Sequence, residues 1–214
     1  YASHLLSPGN RSFLEDFRAT LEPFVRAGLV NGITQTLIKL VAPGVPDIYQ
    51  GSERLDLSLV DPDNRREPDF HTLTTGLAEG RLPTEEEDWR SGRLKQQIVR
   101  RVLNLRRNHP LLFRTGDYLP LAPEGKRAEH LVSFARQTED KSLILVAPRL
   151  VLGAFRQGDR PLSDRWQETL LPLPGSVGGR AYRDVFTGRR FDPAESLPVA
   201  WAFVDHPFAL LLSA

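Results

Sequence analysis

Phe13, Phe17, Leu21 and Phe24 recur at helical spacing in polar surroundings, which predicts a helix with one apolar stripe. Ser12 and Glu15 have the spacing of a capping box at its start. Pro23 lacks an N–H and predicts a kink or an early end, and Gly28 a stop. Asn31 then caps a second predicted helix carrying Ile33, Leu37, Leu40 and Val41, which Pro43-Gly44 ends. Val45-Pro46-Asp47-Ile48-Tyr49 is short, β-branched and aromatic between Gly44 and Gly51, the pattern of a buried parallel strand after a helix. The polar stretch from Gln50 to Asp69 exceeds an ordinary βα connection, and loops of that length are commonly functional. Acidic Glu85–Asp88 precede another helix with Leu94, Ile98, Val102 and Leu105 on one face. Arg93, Lys95, Arg100, Arg101, Arg106 and Arg107 fill its other faces. Acid before the start and base toward the end both suit the helix dipole.

After Pro110 the pattern changes. Short β-type runs appear at Tyr118–Leu121, Leu131–Phe134, Leu143–Val146, Thr169–Leu171, Tyr182–Phe186 and Phe208–Leu212, separated by Gly, Pro and Asp turns. They predict an antiparallel β-sandwich or small barrel. The fold class is therefore α+β, with a boundary that divides the chain into residues 1–111 and 112–214, and the second part is expected to fold alone.

Composition narrows the function classes. The 214 residues carry 28 Lys+Arg against 27 Asp+Glu, so no global field steers the chain to nucleic acid or a membrane. Cys is absent, which excludes a disulfide framework, a thiolate metal site and a cysteine nucleophile. Met is absent too and the chain opens at Tyr1, so it reads as a piece of a longer protein, by default cytoplasmic. No stretch reaches the ~18 apolar residues of a membrane span.

Several familiar sites are missing. The histidines show no metal-binding spacing, and neither phosphate-binding glycine fingerprint occurs. Asp61-Pro62-Asp63-Asn64 begins like a calcium loop, but Arg65 takes the third ligand position and Arg66 replaces the turn glycine. The basic helix reads as a solvated face, since the aromatic interleaving of a nucleic-acid site is lacking. Trp166, Tyr182 and Trp201 could stack on sugars, but large aromatics of this kind read as core. The segment from Gly44 to Arg66 differs. It sets a buried strand before a loop dense in Gln50, Glu53, Asp56, Asp61, Asp63, Asn64, Arg65 and Arg66. Carboxylates, amides and guanidinium forks grip polyhydroxylated ligands through paired hydrogen bonds, and the mouth of an α/β barrel lies where its strands end. The same residues fit a loop merely pinned by an Asp61–Arg65 pair, and Asp47 an apolar-strand carboxylate in need of a buried partner.

Pro43-Gly44-Val45-Pro46-Asp47-Ile48-Tyr49-Gln50-Gly51-Ser52-Glu53 resembles the eighth-strand motif of the α-amylase superfamily, glycoside hydrolase family 13. Leu57–Arg66 and Asn31–Leu40 resemble, more narrowly, its members that rearrange the reducing end of maltooligosaccharides. The resemblance implies the last strand and helices of a (β/α)8 barrel followed by the β-sandwich, with the earlier barrel strands as the missing partner. It implies conversion of the reducing-end α-1,4 bond into an α,α-1,1 bond on a maltooligosaccharide or α-1,4-glucan. That chemistry is retaining and needs a nucleophile and an acid/base carboxylate about 5–5.5 Å apart, with no cofactor or metal. The family's catalytic carboxylates lie on earlier strands, so none is carried onto this chain. Asp61 and Arg65 match an Asp-Pro-x-x-Arg element that implies substrate contact, and Tyr49, Gln50 and Glu53 sit at the strand's exit. Two other readings fit the residues: an amylase-type glucan hydrolase, or a non-catalytic carbohydrate-binding β module.

Overall fold

The apolar runs after Pro110 pair as two antiparallel sheets that face each other. The computed structural model describes residues 1–60, 62, 65–77, 82–83, 86–154 and 163–214. Its helices are α1 (Ala2–Leu5), α2 (Arg11–Val41), α3 (Phe70–Leu77), α4 (Glu86–Arg90), α5 (Arg93–Asn108) and α6 (Pro110–Arg114), with α7 (Val151–Ala154) and α8 (Val199–Ala202) later. The strands are β1 (Asp117–Pro120), β2 (Glu124–Gly125), β3 (Leu131–Gln137), β4 (Ser142–Pro148), β5 (Thr169–Pro172), β6 (Tyr182–Asp184), β7 (Arg190–Phe191), β8 (Ser196–Pro198) and β9 (Ala209–Ser213). One sheet runs β1-β3-β4-β9-β6-β7 and the other β2-β5-β8.

The central strand β4 is buried along its whole length because both faces are covered. Successive side chains of a strand point to opposite faces, and here the two sets enter two cores. Leu145 lies opposite Phe134 of β3 and Leu210 of β9, and all three pack against Leu37, Leu40, Leu94, Ile98 and Val102 of α2 and α5. Ile144 lies opposite Ala135 and Leu211, and these face Leu171 and Leu197 of the smaller sheet. The layers are helices, a six-stranded sheet and a three-stranded sheet. Each large apolar side chain in those cores stabilises the fold by about 1.5–3 kcal/mol, so the shared helix–sheet core joins the first part of the chain firmly to the second.

Polar groups lock the layers together. Arg136 of β3, only 2% exposed, points toward the helices and donates to the carbonyls of Val41 (3.3 Å), Phe113 (3.2 Å) and Gly116 (2.8 Å). Thr34 of α2 donates to Pro148 O at 2.9 Å. Asp184, the last residue of β6, is buried and accepts from the N–H groups of Phe186 (2.9 Å), Thr187 (2.7 Å) and Leu210 (3.3 Å). Burial pushes its carboxyl above the ordinary range despite these donors.

Four expectations are corrected. α2 is one helix of 31 residues rather than two, with Pro23, Gly28 and Asn31 all inside it. Glu22 clips the helix across the proline, accepting from Arg26 at 2.8 Å and pairing with Arg90 of α4, and these cations hold its carboxyl below the usual range. The N-cap is Asn10, not Ser12, and no side chain caps that end. The predicted basic helix is broken at Ser91-Gly92, where Gly92 takes a φ of +76°; a left-handed residue ends one helix and glycine adopts it without strain. Trp166 and Tyr182 are core residues, but Trp201 is exposed. Along α2 only the stretch from Ile33 onward is buried, and Phe17, Leu21 and Phe24 of the predicted stripe lie open to solvent.

Candidate functional site

The segment Val45–Tyr49 forms neither strand nor helix, and Val45 is 95% exposed. A lone parallel strand has no ladder to join here, because the sheets of the described residues are antiparallel and lie elsewhere. Its Asp47 is exposed as well, so it is not the buried carboxylate that the apolar strand suggested. A backbone without a ladder still needs hydrogen-bond partners, and side chains of the helices supply them. Arg106 of α5 donates to Leu40 O and Gly44 O, each at 2.8 Å, and its guanidinium lies 4.7 Å from the Phe113 ring centre. Lys39 of α2 donates to Asp47 O at 3.0 Å. The N–H and hydroxyl of Ser52 both turn back to Tyr49 O, at 3.0 and 2.6 Å.

Lys95 is the centre of this arrangement. Its ammonium donates to Ser52 O (2.8 Å) and Arg54 O (2.9 Å), on either side of Glu53. Burial lowers its pKa, Lys39 adds to that, and Asp56 and Glu53 oppose it. Beside it Arg54 Nε donates to Gln96 Oε1 at 2.9 Å, while Gln96 Nε2 donates to Leu73 O at 2.6 Å and Arg54 Nη2 to Thr72 O at 3.2 Å. The first turn of α5 therefore grips residues 52–54 and α3 at once. Gly92 is tied to the same place: a Cβ there would meet Leu55 N at 2.5 Å. Gly51, at φ +83°, lies against Pro68: a Cβ there would meet the proline ring at 3.2 Å.

The predicted site residues divide as follows. Tyr49 is half exposed and Gln50 exposed at the turn that Ser52 closes. Glu53 lines a cleft of about 390 Å³ between α3 and α5 with Leu73, Leu77, Gln96 and Val99. Its Oε2 is buried and accepts no hydrogen bond among the described residues. Arg65 is exposed, three residues before the Gly51–Pro68 contact. Asp61, and with it Asp63 and Asn64 of the calcium-like run, lies outside the described residues. Asp56 accepts from the Ser58 hydroxyl at 2.5 Å and from Ser58 N at 2.9 Å, and these bonds, the hydroxyl's first, hold its carboxyl below the usual range.

Sequence reasoning missed Lys95, Gln96 and Arg54. The basic helix is not simply a solvated face: Lys95, Arg101 and Arg106 reach backbone carbonyls, Arg101 that of Phe186 at 2.7 Å, and Arg93 pairs with Asp88 at 2.9 Å. Gln96 and Gln97, two amides between the buried Leu94 and Ile98, were the available signal, since amides in an apolar stripe need partners. Among the described residues no three His, Cys, Asp or Glu could jointly hold a metal, and no helix is long and apolar enough to cross a membrane.

No protein-family model matches the chain. Helices packed on an antiparallel sheet are also found in the C-terminal parts of amylase-type enzymes: an Anoxybacillus alpha-amylase superposes with a TM-score of 0.53 over 86% of this chain and 32% of its own, at 19% identity, a likeness of fold alone. At higher identity, the chain is a homologue of the C-terminal portion of maltooligosyltrehalose synthases. The structure of that enzyme from Arthrobacter ramosus matches with a TM-score of 0.77 and 37% identity, over 100% of this chain and 25% of its own. A curated Mycobacterium tuberculosis (strain H37Rv) protein assigned as a maltooligosyl trehalose synthase is 36% identical over 182 residues, 85% of this chain. The chain spans about a fifth of that relative's length.

Proposed function

We propose that this chain is the C-terminal part of an enzyme that converts the reducing-end α-1,4 bond of maltooligosaccharides into an α,α-1,1 bond. The observation that carries the reading is the 37% identity to the Arthrobacter ramosus enzyme along the entire chain. In this reading α2 and the segment 45–49 belong to the end of a (β/α)8 barrel. The exposed apolar residues Phe17, Leu21, Phe24 and Val45 then pack on the earlier barrel strands, which also bring the nucleophile and acid/base carboxylates. We place the topological boundary at residues 111/112, inside the short helix α6, since every strand of the described residues starts after it. It is a boundary of topology rather than of stability, because the helices cover one face of the six-stranded sheet.

The chain's contribution is a rim that binds and orients sugar. Tyr49, Gln50, Asp61 and Arg65 offer an aromatic face, an amide, a carboxylate and a planar donor fork to glucosyl hydroxyls. Glu53 stands behind them beside the Lys95 clamp. With the carboxylate pair located elsewhere, the chain by itself binds at most, and turns nothing over.

The test replaces the matching quarter of the Arthrobacter ramosus enzyme with this chain and supplies maltohexaose. Isomerisation ties up the reducing end, whereas hydrolysis exposes a new one. Reducing-sugar content is expected to fall with the chimera and to stay constant with the isolated chain. A rise would assign a hydrolase instead. In the same chimera Arg65→Ala is expected to lower kcat/KM about tenfold, the loss of one charge-assisted hydrogen bond worth about 1.5 kcal/mol. Unchanged kinetics would leave Arg65 as a loop pin only.

A further inference from the structure

The chain's tryptophans sit in different surroundings. Trp166 is fully buried against Phe203, Trp89 packs against Phe208 at a centroid distance of 6.3 Å, and Trp201 is 62% exposed on α8. The element that carries it is not loose. Val199 and Phe203, on either side, are fully buried, and the Phe203 ring meets Trp166 edge-on at 5.2 Å. Trp201 is thus an apolar plate on a seated backbone, so a ligand that covers it meets a platform ordered in advance.

The polar groups beside it are ordered too. Arg189 Nη1 donates to Trp201 O at 3.3 Å and lies 4.0 Å from Asp205 Oδ2, and the guanidinium stands 5.5 Å from the Phe191 ring centre. The backbone that carries the indole is thus tied to a donor fork, which is paired in turn with an acceptor carboxylate of opposite charge. A phosphorylated or polyanionic ligand would meet Asp205, and a basic peptide would meet Arg189. A neutral ring with one flat C–H face and hydroxyls around its edge meets neither penalty: the indole takes the face, and the pair exchanges hydrogen bonds with the edge.

We propose that Trp201, with Arg189 and Asp205, forms a surface site for a neutral α-1,4-linked glucan chain on the β part of the molecule. The choice of α-1,4-glucan among neutral sugars rests on the function proposed above. The stacking platform rests on the local geometry alone.

Native gel electrophoresis of the whole 214-residue chain through soluble starch tests the site. The wild type is expected to be retarded, and Trp201→Ala to lose at least four-fifths of the retardation while keeping its circular dichroism melt. Arg189→Ala, which leaves the indole in place, is expected to lose about half. A wild type that migrates freely overturns the proposal, as does a Trp201→Ala variant retarded like the wild type. The assay needs no turnover, so an inactive chimera with normal retardation would sink the enzyme reading and leave the site standing; an active chimera whose isolated chain ignores starch does the reverse.

Discussion

Arg136→Ala is expected to lower the unfolding free energy of this chain by about 3–5 kcal/mol, more than any single aliphatic truncation at the rim. The guanidinium sits where β3 should present an apolar residue to the helical layer, and it serves carbonyls of Val41, Phe113 and Gly116. Val41 is the last residue of α2, so its carbonyl belongs to the negative end of a helix dipole, where a cation is favoured. Charge-assisted hydrogen bonds contribute about 1.5–3 kcal/mol each, but burying a guanidinium without a carboxylate consumes much of that sum. Burial does lower its pKa, yet arginine keeps its proton in proteins. Alanine takes the donor from three carbonyls, two of them buried, and leaves a cavity among α2, α6 and β3, two losses that add. Arg136→Met fills the volume but not the acceptors, and about half the loss is expected to remain. Urea unfolding checks both: with a slope of about 2 kcal/mol per molar, the Ala variant's midpoint should fall by roughly 1.5–2.5 M. A shift under 0.5 M, on the same scale, would mean that water serves those carbonyls.

The same arginine shows what the sequence could and could not reveal. The predicted run ends at Phe134, whereas β3 continues through Arg136 to Gln137; a cation at a core-facing position looks like the end of a strand until the carbonyls it serves are seen. The other apolar runs were readable because burial on one or both faces leaves a pattern in the side chains themselves. Strands β2, β7 and β8 were not, being two or three residues long and defined by their neighbours rather than by their own composition. Pro23 and Gly28 misled for a related reason. They weaken a helix locally, but the Glu22 link to Arg26 and Arg90 and the buried turns after Ile33 hold α2 together over a longer range. Segment 45–49 fails in the opposite direction: its apolar residues have a strand's pattern, but neither antiparallel sheet of the described residues includes them. The motif singles out the stretch proposed as the rim, but the clamp that holds it involves residues some forty positions away, Lys95 to Ser52 and Arg54, and no local pattern records that pairing.

That clamp sets the second large effect. In the chimera, Lys95→Met is expected to lower kcat/KM about a hundredfold, since two charge-assisted hydrogen bonds to Ser52 O and Arg54 O are worth about 3 kcal/mol together. Methionine retains the stem's packing, so the loss concerns placement of the rim and not the core. Gly92→Ala probes the same contact from the other side. Its Cβ would meet Leu55 N at 2.5 Å from a backbone at φ +76°, so either the loop moves off α5 or the helix start unwinds. The two variants share no atom but disturb one short stretch, and both are expected to speed amide hydrogen exchange at residues 50–55 of the isolated chain while leaving β3, β4 and β9 protected. Unequal outcomes are informative. Should Lys95→Met cost activity without faster exchange, the ammonium would be acting on substrate directly; should exchange rise with activity unchanged, Tyr49 and Gln50 would lie outside the sugar's path and the rim would begin at Arg65.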